Sequence, residues 1–157
     1  MKRYGLFVGI NSYNNGITRL NAAKNDAKDL CRAFKKKGFK TKLLSNKKVN
    51  FNNIQHEINK FKLEEGDIFV FYFAGHGCEI GEDHYLLPHG ANIALLQARQ
   101  GLIPFSALRT LTDKPGVRRL FILDCCRNDL MEGGRGADVC SGTRDLALGR
   151  LVEPDPG

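Results

Sequence analysis

The sequence contains no apolar run approaching the roughly 18 residues needed to cross a bilayer as a helix. Met1-Lys2-Arg3 leads into a short strand-like segment without the apolar stretch and cleavage site of a signal peptide. A soluble, cytoplasmic protein with no membrane partner is therefore expected. No C-x-x-C pair occurs among the five cysteines, an odd number of which Cys125 and Cys126 are adjacent. That arrangement suggests neither a disulfide framework nor a zinc knuckle, and free thiols in a reducing compartment fit better. No glycine-rich phosphate loop follows the first apolar segment, so a flavodoxin-like binding domain lacks support. No internal repeat is present.

The chain carries a net charge of +7, without the interleaved aromatics of a nucleic-acid reader. Its lysines fall in short groups, Lys35-Lys36-Lys37 at the end of a predicted helix and Lys47-Lys48 in a turn. Cations there suit a helix C-terminus and solvent, so nucleic acid is not expected as a partner. At 157 residues the chain is long enough for one domain with one core.

What is present reads as strands alternating with helices. Tyr4 to Ile10 is a short apolar strand closed by the turn chemistry of "NSYNNG". Ala22 to Lys37 places Ala23, Ala27, Leu30, Cys31 and Phe34 at three- and four-residue steps and is followed by Gly38, which predicts an amphipathic helix with a glycine stop. Phe39 to Leu44 is a second strand, and Asn52 to Leu63 is a second helix with Ile54, Ile58 and Phe61 on one face. Ile68 to Ala74 is a third strand, apolar on both faces as in a parallel sheet covered by helices. A hairpin or loop region spans Cys78 to Ala91, a short helix Pro104 to Leu111 with Pro104 in its first turn, and a fourth strand Val117 to Leu123. From Met131 to Gly157 the chain turns rich in Gly, Arg and Asp and reads as a loop or unpaired tail. This division gives a domain over 1–130 and a flexible linker or processing tail over 131–157.

Such an alternation implies a mostly parallel sheet with right-handed crossovers, whose ligands meet the carboxyl ends of the strands. His76, in "AGHG", follows the third strand, and Cys126, in "LDCCRN", follows the fourth. Both are expected on that edge. A nucleophilic thiol needs a base or a lowered pKa, and an imidazole can take its proton and later protonate a leaving amine. Glycines beside His76 permit an unusual backbone and leave the ring uncrowded. The Gly77 N–H, with that of Cys126, would be free to meet a developing oxyanion. Either residue alone is more simply a turn histidine or a small buried thiol; together, 50 positions apart, they point to catalysis.

"FYFAGHG" with "FILDCCRN" resembles the catalytic pair of the caspase-like cysteine peptidases, and "GIN" plus "NDAKDL" resembles their first strand and first helix. The likeness covers Tyr4 to about Asn128 and lies nearer to metacaspases, paracaspases and bacterial orthocaspases than to true caspases. It implies a three-layer α/β/α sandwich, here only its large-subunit part, and the activity of a cysteine endopeptidase made as a zymogen. Extended side chains alternate, so Asp124 and Cys126 share a direction and Cys125 takes the other. The Asp-x-Cys pattern of the family likewise makes Cys126 the nucleophile and Cys125 a core thiol.

True caspases carry a glutamine two residues before the nucleophile and an arginine near the first helix. Here Asp124 and Asp26 stand at those places, and two carboxylates suit a guanidinium or ammonium group. Cleavage after Arg, then Lys, is expected. Asp26 also reads as a helix-start acid favoured by the dipole, and Asp124 as a capping carboxylate. Metacaspases often have a serine where this chain has Ala74. Glu79, Glu82 and Asp83 form an acidic group that does not match a calcium-binding set, so no metal or other cofactor is expected, with calcium the one alternative. His56, His84 and His89 are assigned no catalytic role, and Tyr85, Leu86 and Leu87 read as packing residues.

About thirty residues follow Cys126 and do not read as the further strands that complete a caspase-like sheet. A second chain or a C-terminal portion is expected beside the fourth strand. Arg135, Arg144 and Arg150 are candidate self-cleavage sites. The competing reading is a catalytically weak or inactive caspase-like module that acts as a protein-interaction scaffold.

Overall fold

The computed structural model describes residues 1–125 and 127–129. Its elements are β1 (Arg3–Gly9), α1 (Ala23–Lys36), β2 (Lys40–Ser45), α2 (Phe51–Phe61), β3 (Ile68–Ala74), β4 (Gly77–Ile80), β5 (Asp83–Leu86), β6 (Ile103–Pro104), α3 (Phe105–Leu111), β7 (Arg118–Asp124) and β8 (Arg127–Asp129). The main sheet runs β2-β1-β3-β7 and is parallel throughout. A smaller sheet runs β6-β5-β4-β8, with β4 antiparallel to β5 and parallel to β8.

Side-chain alternation in β3 builds the three layers. Val70, Tyr72 and Ala74 face α1 with Phe7, Ala23 and Ala27. Phe69, Phe71 and Phe73 face the opposite side, with Ile54 and Ile58 of α2 and Leu108 of α3. Both faces are covered, which accounts for a strand with no polar alternation. The expected α/β/α sandwich around a mostly parallel sheet is what the chain forms.

The glycine stop expected after the first helix is observed, and the other helix ends have their own caps. Gly38, at φ +82°, donates to the Lys35 carbonyl and ends α1. Asn50 caps α2 by accepting from the Asn53 N–H at 2.8 Å, and Lys62 closes it at φ +50°. Pro104 is the cap of α3 rather than part of its first turn, since its ψ of 127° is extended. The hairpin region becomes β4 and β5, turning at Gly81 with φ +65°. Arg127–Asp129, for which the sequence reading gave no strand, forms β8 and joins the second sheet. Among the described residues no helix is long and apolar enough to cross a membrane.

Gly9 decides how closely α1 crosses the sheet. A Cβ there would lie 2.5 Å from the Ala23 carbonyl oxygen and 2.7 Å from the Ala27 Cβ. With glycine at the end of β1, the first turn of α1, and Asp26 with it, sits directly over the carboxyl edge.

Candidate active site

Every strand of the main sheet points its carboxyl end to one edge, and the loop between β1 and α1 lies along it. Asn11 opens that loop and caps α1 by accepting from the Lys24 N–H at 2.9 Å. Asn46 receives the N–H groups of Asn11 and Ser12. His89 places Nδ1 against the Ser12 carbonyl. The loop is thus held from both flanks.

His76 follows β3 by two residues and is buried, 1% exposed. Its Nε2 lies 2.7 Å from the Thr18 carbonyl oxygen. A carbonyl can only accept, so the neutral ring carries its proton on Nε2 and keeps its lone pair on Nδ1. Burial pushes the His76 pKa below the ordinary value, with the Thr18 carbonyl opposing it. The outcome is an imidazole that is neutral, oriented and able to accept a proton.

Glycine at position 75 has a spatial cause. Its φ lies outside the left-handed region, and a Cβ would sit 2.6 Å from the Tyr13 hydroxyl and 2.8 Å from the Phe73 ring. The expected unusual backbone is not what Gly75 supplies; it supplies room. Leu87 N–H donates to the His76 carbonyl at 2.9 Å, which makes Gly77 and Leu86 a non-hydrogen-bonded antiparallel pair. The Gly77 N–H consequently points away from β5, toward the β8 side.

The segments on either side of Cys126 flank His76. Ala74 is in register with Asp124, Gly75 N–H meets the Asp124 carbonyl at 3.3 Å, and Gly77 is in register with Arg127. Cys126 itself lies outside the described residues, as do Arg135, Arg144 and Arg150. Cys125 is half-buried and packs against the larger core cluster. Cys78 is buried, and burial pushes its thiol up to about 11, which makes it a poor nucleophile.

Asp124 bonds the Tyr72 hydroxyl, and the charge of Asp26 also acts on it. Tyr72 donates to Asp124 Oδ2 at 3.3 Å. Burial first, then the charges of Asp124 and Asp26, raise the Tyr72 pKa above its ordinary value. The half-buried Asp26 and the exposed Asp124 therefore share a small polar patch on the α1 side of the edge, floored by Tyr72.

Of the acidic group in the β4–β5 hairpin, Glu79 lies 2.7 Å from His84 Nδ1, and Asp83 pairs with Arg99 at 3.3 Å. Among the described residues no three His, Cys, Asp or Glu side chains are grouped as a metal site. Three residues escaped the sequence reading. Tyr13 stands out only as an aromatic inside a polar turn, Tyr72 looks like any strand residue, and Thr18 acts through a backbone carbonyl that no side chain advertises.

The caspase domain family model matches residues 2–148. Among solved structures, protein GSU0716 from Geobacter sulfurreducens superimposes with a TM-score of 0.69 at 24% identity, over 82% of this chain and 52% of that one. The likeness establishes the fold, and this chain spans about half the length of that neighbour. No curated protein is significantly similar in sequence. The family match over nearly the whole chain, on a fold that brings the "AGHG" and "LDCCRN" segments side by side, means that the chain belongs to the caspase domain family of cysteine peptidases.

Proposed function

We propose that this chain is the catalytic, large-subunit part of a cysteine endopeptidase that cleaves proteins after Arg and, second, Lys. The observation that carries the reading is the buried imidazole anchored by the Thr18 carbonyl beside the strands that lead into and out of position 126. In this reading the Cys126 thiol gives its proton to His76 Nδ1 and the sulfur attacks the scissile carbonyl. The oxyanion accepts from the N–H groups of Gly77 and Cys126. His76 then protonates the leaving amine, and a water, deprotonated by the same imidazole, hydrolyses the thioester.

The Tyr72 hydroxyl, bonded to Asp124 and acted on by the charge of Asp26, supports a specificity role for the two carboxylates. Two carboxylates held near one buried phenol favour a guanidinium and reject an acidic side chain, which would leave like charges unpaired. The chemistry requires no metal, and within that acidic group Glu79 and Asp83 are each paired with a neighbouring side chain, His84 and Arg99. Neither nucleic acid nor membrane is a partner in this reading, and the site of action is the cytoplasm.

β7 pairs with β3 on one side, and its Leu120 to Leu123 are only half-buried. Together with the half-length match, this supports a second chain or a C-terminal portion completing the sheet beside β7. Residues 131–157 serve here as a linker or processing tail with self-cleavage at Arg135, Arg144 or Arg150, and the domain proper covers 1–130. Among the described residues β7 is paired on one side only, which favours a second reading, a scaffold that uses β7 to dock and has little activity.

A fluorogenic peptide ending in Arg separates the two, assayed with excess chelator and then with calcium. Wild type should release the fluorophore in both, and Cys126→Ala and His76→Ala should fall to background. Wild type that stays silent under both conditions, and also with the C-terminal portion supplied, supports the scaffold. Intact mass of the purified active protein, compared with an Arg→Ala series, tests the tail sites.

A further inference from the structure

We propose that Tyr13 is a positioning residue that fixes the His76 imidazole from the loop between β1 and α1. The inference rests on the peptidase reading for its consequence, while its structural content stands on its own. Tyr13 lies in a turn of polar residues yet is 7% exposed. Its hydroxyl accepts the His76 backbone N–H at 2.9 Å and donates to the Leu87 carbonyl at 3.0 Å. Its ring centroid lies 4.7 Å from that of the imidazole, inclined at 59°.

These contacts constrain different freedoms. The hydroxyl holds the backbone from which the imidazole projects, and the phenol ring limits how the imidazole turns. Five residues further along the same loop, the Thr18 carbonyl takes the Nε2 proton. One loop therefore controls the backbone, the ring face and the tautomer of His76. Gly75 leaves the space through which the hydroxyl reaches the chain.

The phenol can keep both hydrogen bonds across the working range of a peptidase. Burial pushes its pKa above the ordinary tyrosine value, more than the His76 N–H lowers it. Removing only the hydroxyl would leave the His76 N–H and the Leu87 carbonyl buried without partners, and the turn would move or admit water to recover them. A displacement of this kind at a catalytic base is costly, up to about a hundredfold in rate for a shift near 1 Å.

Tyr13→Phe keeps the ring and deletes the hydroxyl. In wild type, nitrogen NMR of the histidine rings in the full chain should show His76 as a single neutral Nε2–H tautomer, and Tyr13→Phe should show mixed tautomers with a titration midpoint moved up toward the ordinary value. In the Arg-peptide assay kcat should fall about tenfold to a hundredfold with KM within about twofold. His76 ring signals identical in the two proteins would overturn the assignment, as would a kcat within twofold of wild type. If wild type cleaves nothing even with the C-terminal portion supplied, the peptidase reading fails while the ring signals still decide for or against Tyr13. If Tyr13→Phe does not fold, hydrogen exchange in wild type decides. The His76 amide should exchange as slowly as the amides of β3, and exchange as fast as an exposed loop refutes the proposal.

Discussion

At the scale of single residues, the behaviour of His76 follows from where its ring is kept. The chain withdraws the imidazole from water, which disfavours its charged form, and gives back one carbonyl acceptor, which favours it; withdrawal wins. A base that must be neutral to act then works at lower pH than a free histidine would. In a profile of kcat/KM against pH, the acidic limb assigned to His76 should have its midpoint below about 6.5. The measurement is a set of initial rates with the Arg peptide at constant ionic strength, and a midpoint above that value would contradict the buried neutral ring. The place of residue 76 after an apolar strand was legible in the sequence. The residues that make it so were not, because Tyr13 and Thr18 lie 63 and 58 positions earlier in the chain.

At the scale of elements, close approach is decided by what is missing from a side chain. Gly75→Ala places a methyl against the Tyr13 hydroxyl and the Phe73 ring and should lower both the melting temperature and kcat. Gly90, which has nothing within 4 Å and no left-handed backbone, is the control. Gly90→Ala should change stability by no more than about 0.5 kcal/mol. On α2, Ile54 is fully buried against the aromatic face of β3. Ile54→Ala should cost about 2–5 kcal/mol, read from denaturant unfolding. Periodicity placed the three α-helices and the four main strands close to their observed bounds, because each has a continuous apolar face. The second sheet was harder to see. β8 is three residues long and draws its pairing from β4, about fifty positions away, so nothing local marks it.

At the scale of the whole molecule, Asp67 ties distant ends together. Its carboxylate accepts from the Lys2 N–H at 2.7 Å and the Glu64 N–H at 3.1 Å, and its carbonyl receives the Arg118 N–H at 2.9 Å. One residue thereby links the starts of β1, β3 and β7. The Lys2 N–H is the leading cause of a pKa below the ordinary carboxylate value, with the Glu64 N–H and the Lys2 charge adding to it. A depressed folded value contributes stability that is present above the unfolded value, near 3.9, and lost as pH falls through the folded one. Wild type should therefore melt above Asp67→Asn at pH 6, and the gap should begin to narrow as pH falls below about 3.9. A gap that stays constant down to pH 2 would show that the carboxylate charge plays no part.

Composition and periodicity alone determined the layer architecture and the strand edge where chemistry is expected, since alternation of apolar faces is written residue by residue. They also marked His76 by type and position, while Asp26 and Asp124 were singled out only through the resemblance to caspase-like peptidases. Tertiary structure decided the rest: that β7 lies next to β3, that Asp124 bonds Tyr72, and that the loop after β1 supplies a hydroxyl to the His76 backbone and a carbonyl to its imidazole. Such contacts depend on strand order and register, which arise only when separate segments pack together, and a linear pattern holds no record of them.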